Sequence, residues 1–309
     1  MHDRDCLHRF IFERYPIRGH LVHLDAAWRA LIEHRDYPMP VRDALGEAVA
    51  ASLLLAATIK FEGVLSLQMQ GDGPVHLLLA QCTGGLGVRG LARYREAGSQ
   101  PESARIGDSI GTGDLIGTGN LTVTLETDDG AQRYQGIVPL AGQRLAESLQ
   151  VYFENSEQLP TRLWLHADSL GASGMLLQKL PGAESPAGIA ADAAVIDDAW
   201  RRVQLIGETL TPEELRTLAD VEILHRLFNE DDIRLFEPAP VYFRCRCSRE
   251  RVGGMLQSLG EAESRSVLAE RGTVEVHCDF CNRAYLFDAV DIAQLFNAGV
   301  ASDRGGSVH

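Results

Sequence analysis

Gly63-Val64-Leu65-Ser66-Leu67-Gln68-Met69-Gln70-Gly71-Asp72-Gly73-Pro74-Val75-His76-Leu77-Leu78-Leu79-Ala80-Gln81 decides the architecture. From Gly63 to Gln70 the residues alternate, with Val64, Leu65, Leu67 and Met69 apolar. Gly71-Asp72-Gly73-Pro74 is a strong turn, and Val75 to Gln81 resumes as a strand. Two such runs across a glycine-rich turn predict a β-hairpin. A second hairpin follows at Asn120 to Glu126, Asp128-Asp129-Gly130, and Gln132 to Pro139. Strands joined by short turns pair antiparallel, so residues 1–183 predict an α+β domain of antiparallel sheet and helices. A parallel doubly wound sheet is excluded. Leu7 to Phe12 reads as a further strand, Asp25 is placed to cap a helix to about His34, and Val41 to Ile59 is a longer helical pattern. In the stretch from Gly107 to Gly119 the spacing of Gly111, Gly113 and Gly117 is not G-x-G-x-x-G. That predicts a loop with no nucleotide cofactor.

The whole chain has 309 residues, 45% of them hydrophobic, and a net charge of −14. That length suggests about two domains, and the acidic balance repels a phosphate backbone, which argues against nucleic-acid binding. Met1-His2-Asp3-Arg4-Asp5-Cys6 has no apolar run behind it, unlike a secretory signal. The most apolar run, Ala48 to Ile59, is too short to span a bilayer. The expectation is a soluble, cytoplasmic protein with no membrane partner, in which paired cysteines mean metal or redox chemistry rather than permanent bridges.

Residues 184–240 change character. They open on Glu184-Ser185-Pro186-Ala187-Gly188 and hold 13 acidic against 5 basic side chains, a net of −8. Thr211-Pro212-Glu213-Glu214 supplies a helix cap, a first-turn proline and a capping-box glutamate. Ile196, Trp200 and Val203 recur at helical spacing, as do Leu224, Leu227 and Phe228. This is an acidic, amphipathic helical linker region that needs a partner surface. It reads either as a plain helical subdomain or as a detachable element.

Four of the six cysteines lie in two tight pairs, Cys245-Arg246-Cys247 and Cys278-Asp279-Phe280-Cys281, thirty residues apart. Two local pairs can converge on one tetrahedral zinc. Thr273 to Val276 and Ala284 to Phe287 read as strands around the second pair, which makes a metal knuckle rather than a thioredoxin-like helix start. The region 241–296 is small and poor in aromatic bulk, so a metal would be needed to fold it. Arg244, Arg246, Arg249 and Arg251 flank the first pair and favour thiolate over thiol. The site reads equally as an inert structural zinc or as a redox sensor. Residues 241–309 carry 8 Arg, no Lys and 9 acidic side chains, so no basic stripe serves nucleic acid. His277 is set aside as a ligand because four cysteines fill the site. The isolated Cys6 and Cys82 read as small buried hydrophobes. No nucleophile constellation is visible, and no enzymatic activity is expected.

With these residues in place, the chain resembles the redox-regulated 33-kDa heat-shock chaperones of bacteria over nearly its whole length. The motifs that carry the resemblance are Arg18-Gly19, Lys60-Phe61-Glu62-Gly63, Gln68 to Pro74, Tyr152 to Thr161, Gly174 to Pro181, Cys245 to Arg251, and Cys278 to Asn282. The resemblance implies an ATP-independent holdase. Its reduced form holds one zinc ion through Cys245, Cys247, Cys278 and Cys281 and is inactive. Oxidation pairs Cys245 with Cys247 and Cys278 with Cys281 and releases the zinc. The zinc domain and linker then unfold, and the protein forms a homodimer that binds unfolding client proteins. The implied layout is a chaperone core over 1–183, the linker over 184–240, a zinc switch over 241–296 and a flexible tail over 297–309. A constitutive zinc-stabilised interaction protein and a thiol–disulfide oxidoreductase are the alternatives.

Overall fold

The computed structural model describes residues 4–95, 111–130, 133–182, 188 and 192–302, with side chains to residue 296. The chain divides into two compact units, Met1–Arg244 and Cys245–His309.

The first unit opens with strands β1 (Cys6–Phe12) and β2 (Ile17–Leu24), then helices α1 (Ala26–Ile32) and α2 (Met39–Thr58). The expected hairpin forms as β3 (Gly63–Gly71) and β4 (Val75–Thr83), with Leu67 opposite Ala80. Strand β5 (Gly87–Tyr94), a short helix α3 (Thr112–Ile116) and the second hairpin, β6 (Gly119–Thr127) with β7 (Arg133–Pro139), follow. Helix α4 (Leu145–Tyr152), a π-helical turn at Phe153–Glu157, and strands β8 (Thr161–Ala167) and β9 (Ala172–Lys179) complete the core. The acidic segment forms helices α5 (Ala193–Gly207), α6 (Pro212–Thr217) and α7 (Asp220–Phe228). It ends in short strands β10 (Ile233–Leu235), β11 (Ala239–Pro240) and β12 (Tyr242–Phe243).

Two six-stranded sheets result. One runs β10-β1-β2-β9-β8, with β11 also on β1, and the other runs β12-β5-β4-β3-β6-β7. All pairings are antiparallel except β12 on β5. Helix α2 supplies Leu45, Val49, Leu53 and Leu54 to a core shared with Leu7, Val22 and Leu176 of the first sheet and Leu67, Leu78 and Val88 of the second. Its expected span is extended by Met39 and Pro40, because proline fits the first turn of a helix.

Strands β2 and β9 are buried along nearly their whole length. A strand in an antiparallel sheet normally alternates, so both faces of this sheet are covered. The inner face meets α2. The outer face presents Phe10, Phe12, Ile17, Leu21, Met175 and Leu177, and these pack against Trp200, Val203, Leu215, Ile223, Leu227 and Phe228 of the acidic helices. The partner surface that the amphipathic pattern demanded is therefore the outer face of the first sheet. The capping box at Thr211 and Glu214 forms as read, with Pro212 in the first turn.

Two expectations need correction. Asp25 sits at the N-cap of α1, but its side chain caps nothing. The carboxylate of Asp5 does so instead, accepting from the amides of Asp25 (2.9 Å), Ala26 (3.0 Å) and Ala27 (2.8 Å). A distant carboxylate supplies the orphan-amide acceptor as well as a local one does. The expected glycine loop holds α3 within it. Gly73 donates to the Ile116 carbonyl at 2.8 Å, and Thr118 donates to Asp72 at 2.8 Å, so the first hairpin turn packs on this helix. A Cβ on Gly73 would lie 2.5 Å from backbone atoms of Leu115 and Ile116, which is why glycine stands there. The part of the stretch from Gly107 to Ile110 lies outside the described residues, as does Glu184-Ser185-Pro186-Ala187.

A bidentate ion pair within the acidic segment joins α5 to the stretch after α7. Arg202 of α5 donates to both oxygens of Asp231, at 2.9 and 2.5 Å, and the Asp231 side chain is only 6% exposed. Removing one partner of such a pair costs about 3–5 kcal/mol, because the other charge stays buried. Arg202→Ala is expected to increase protease cleavage within residues 192–231 at least tenfold, while Arg201→Ala, on an exposed neighbour, leaves cleavage unchanged. Equal cleavage of both variants would show that the pair does not hold the segment.

Candidate metal centre

The second unit contains helices α8 (Arg249–Leu259) and α9 (Glu261–Arg271), the hairpin β13 (Val274–His277) with β14 (Ala284–Phe287), and α10 (Ala289–Ser302). The expected tail from 297 begins inside α10, and residues 303–309 lie outside the described ones.

Both cysteine pairs sit where local backbone forces their sulfurs together. The strands expected around the C-x-x-C form, and the motif makes the turn between them. Cys278 N donates to Arg283 O at 3.0 Å and Asn282 N donates to Cys278 O at 2.8 Å. Asn282 takes the left-handed conformation, φ 54°, which asparagine tolerates better than most side chains. The C-x-C precedes Ser248, whose hydroxyl caps α8 by accepting from Arg251 N at 3.3 Å. Across the two motifs, Cys245 Sγ lies 3.6 Å from Cys278 Sγ and Cys247 Sγ lies 3.4 Å from Cys281 Sγ. All four sulfurs fall within 4.8 Å of one another. Four thiolates around zinc at about 2.3 Å would stand roughly 3.8 Å apart, so these four fit the ion with little movement.

The apolar support beneath this cluster is thin. Val252, Leu256, Val274, Tyr285, Phe287 and Ile292 are its buried hydrophobic residues. Tyr285 also donates its hydroxyl to Cys247 Sγ at 3.1 Å. Burial opposes ionisation of Cys247, but the Tyr285 hydroxyl and the three other cysteines outweigh it and bring its pKa down to about 7. Burial pushes the Cys245 thiol up. The set therefore keeps Cys247 ready to ionise near neutral pH, while burial raises the thiols of Cys245 and Cys281.

The flanking arginines divide among several tasks. Arg249 donates to the Leu286 carbonyl at 2.7 Å, pairs with Asp291 at 2.7 Å and covers the Phe287 ring at 4.3 Å. Arg251 donates to the Arg246 carbonyl at 2.8 Å. Arg244 belongs to the first unit, where its amide donates to Val88 O at 2.9 Å. A cation that sequence reasoning passed over is Arg283. Its pKa is raised by its hydrogen bond to Tyr285 and by the charges of Tyr285, Cys247 and Cys281. Tyr285 and Arg283 were legible only as an aromatic strand residue and its neighbour. His277 bonds Glu275 at 2.9 Å and the Asn282 carbonyl at 3.3 Å. Cys6 and Cys82 are buried in the first unit. Among the described residues no helix is long and apolar enough to cross a membrane.

Comparison with known proteins agrees with this arrangement. Residues 5–288 match the family described as Hsp33 protein. The chain is 49% identical over 309 residues to a 33 kDa chaperonin of Nitrosococcus oceani, covering 100% of both chains. It is 46% identical over 297 residues to a 33 kDa chaperonin of Methylobacillus flagellatus, covering 96% of both. The crystal structure of the 33 kDa chaperonin of Thermotoga maritima shares the fold, with a TM-score of 0.77 and 22% identity. That likeness covers 95% of this chain and 99% of the other. A match spanning both the two-sheet unit and the four-cysteine hairpin, with relatives of equal length, places this chain in the Hsp33 family of chaperones.

Proposed function

We propose that this chaperone is an ATP-independent holdase switched by the oxidation state of its four C-terminal cysteines. The observation that carries the reading is the convergence of Cys245, Cys247, Cys278 and Cys281 over a unit with so little apolar core. Zinc held by these thiolates would supply folding energy, on the order of 10–16 kcal/mol for structural sites. Hydrogen peroxide takes two electrons from each thiolate pair and is reduced to water with uptake of two protons, forming the Cys245–Cys247 and Cys278–Cys281 disulfides. The four thiolates are then gone, and with them the site. Pairing within each motif leaves the motifs unlinked, so the unit is free to open. Crosswise bonds along the short sulfur contacts would tie it shut.

The adjoining chain suggests how opening is transmitted. The acidic segment's strands β10 and β11 line the edge of the first sheet, β12 pairs with β5, and Cys245 follows two residues later. Unfolding from Cys245 onward removes the anchored end of that segment. Its net charge of −8 then favours dispersal, and the apolar outer face of the first sheet becomes available to unfolding clients. The active state is proposed to be a homodimer in the cytoplasm, acting on unfolded protein and not on nucleic acid.

Light scattering of a heat-unfolded client should be suppressed by peroxide-treated, zinc-free protein and not by the reduced zinc form. Peptide mapping of the oxidised protein should recover the two within-motif disulfides. Equal suppression by both forms would favour a constitutive interaction protein. Multiple turnovers of a disulfide substrate with glutathione would favour an oxidoreductase.

A further inference from the structure

A second group of metal-ligating side chains lies in the first unit, far along the sequence from the four cysteines. Cys6 and His8 project from the same face of β1, two residues apart. Asp220 opens α7 in the acidic segment, and His23 comes from β2. Cys6 Sγ lies 3.8 Å from His8 Nδ1, and His8 Nδ1 pairs with Asp220 Oδ2. The ligand atoms of Cys6, His8 and Asp220 all fall within 4.8 Å of one another. Three ligands of a tetrahedral ion at about 2.0–2.3 Å would stand roughly 3.3–3.8 Å apart. The Cys6–His8 spacing is already of this size, the His8–Asp220 contact must open, and Cys6 Sγ and the Asp220 carboxylate lie within 4.8 Å of each other.

The Asp220 carboxylate is buried between two imidazoles. The Asp220 side chain is 5% exposed, and its Oδ1 is buried without a well-aligned hydrogen bond although His23 Nδ1 lies 2.8 Å away. His23 Nε2 lies 2.7 Å from the Leu215 carbonyl. A carbonyl only accepts, so Nε2 carries the proton. His8 and His23 thus hold one oxygen each of the Asp220 carboxylate. A cleft of about 650 Å³ lined by Arg4, Thr217 and Glu222 opens beside the group and gives an ion a way in.

We propose that Cys6 Sγ, His8 Nδ1 and the Asp220 carboxylate bind a second divalent transition metal, with zinc as the best fit. His23 is a positioning residue that holds the carboxylate from its other oxygen. One thiolate, one imidazole and one carboxylate suit zinc and not the hard cations magnesium and calcium. Binding would release the Cys6 thiol proton to solvent, so it weakens as pH falls. Because the ligands come from β1 and α7, the ion would clasp the acidic segment to the sheet it covers. This site is independent of the redox switch proposed above.

Full-length reduced protein, stripped with a chelator and dialysed against zinc, should carry two zinc ions per chain by elemental analysis. Cys6→Ala should carry one. A chain with Cys245, Cys247, Cys278 and Cys281 all changed to serine should also carry one. His23→Ala should weaken the second equivalent about 10–100-fold, the usual effect of losing an outer partner of a metal ligand. One equivalent in the wild type, or a second equivalent that survives Cys6→Ala, would overturn the proposal. Cys6→Ala is a small change at a buried strand position, and far-UV circular dichroism confirms that the sheet is intact. The four-serine chain separates this site from the other: failure of the redox reading leaves its single equivalent untouched.

Discussion

Cys278→Ser in the reduced protein is expected to unfold residues 245–302 and to leave residues 4–244 folded. The second unit has six buried hydrophobic side chains beneath the four sulfurs, and two of its helices are mostly exposed. Such a core does not offset the conformational entropy of the residues it orders, about 1–2 kcal/mol for each backbone position. A structural zinc contributes on the order of 10–16 kcal/mol, and losing one thiolate removes most of that. Tyr285 adds to the effect, because its hydroxyl loses the Cys247 thiolate it serves when the site is loaded. Hydrogen exchange should show β13 and β14 amides unprotected in Cys278→Ser and protected in wild type. Cys82→Ser is the control, since Cys82 is fully buried in the other unit and touches none of these groups. Protected β13 amides in a zinc-free Cys278→Ser chain would show that the unit stands on packing alone.

Under the proposed switch, Val203→Asp is expected to make the reduced, zinc-loaded protein an active holdase. Val203 is fully buried and belongs to the cluster formed with Phe10, Phe12, Ile17, Leu21, Met175 and Leu177. A carboxylate placed there must give up hydration with no partner, at a cost of several kcal/mol. The acidic helices carry much negative charge already, so detachment into water is the cheapest response. The sheet itself keeps its inner face packed on α2 and should survive. Client scattering should then be suppressed without oxidant, and zinc content should stay at the wild-type level for the four-cysteine site. Leu227→Asp attacks the same cluster from α7 and should behave alike. If proteolysis shows the helices released and scattering is still unaffected, clients bind elsewhere and the covered face is only a packing surface.

Much of this was readable from local pattern. The alternation around Gly71-Asp72-Gly73-Pro74 and Asp128-Asp129-Gly130 determined two hairpins and with them the antiparallel class, since a short turn leaves two strands no other way to pair. The strand–C-x-x-C–strand pattern determined the knuckle for the same reason. The capping box at Thr211 and the apolar spacing of Trp200 and Val203 determined amphipathic helices in the acidic segment. Every one of these signals acts over a few residues, within reach of a turn or a single helical repeat.

Only the tertiary structure decided what those pieces meet. No local pattern says that the acidic helices cover Phe10 and Met175, that Asp5 caps the helix after Asp25, or that α3 packs under the first hairpin turn. The sulfurs of Cys245 and Cys278 approach because the turn of β13–β14 and the start of α8 are brought together, and Arg249 and Arg251 turn to other partners while Arg283 interacts with Tyr285 and the cysteines. Cys6, read in sequence as a small buried hydrophobe, lies beside His8 and within reach of an aspartate 214 residues further on. Contacts across such separations depend on the closure of the whole chain. Hydrophobic burial drives that closure without direction, and the shape of the two sheets selects which polar groups it leaves face to face.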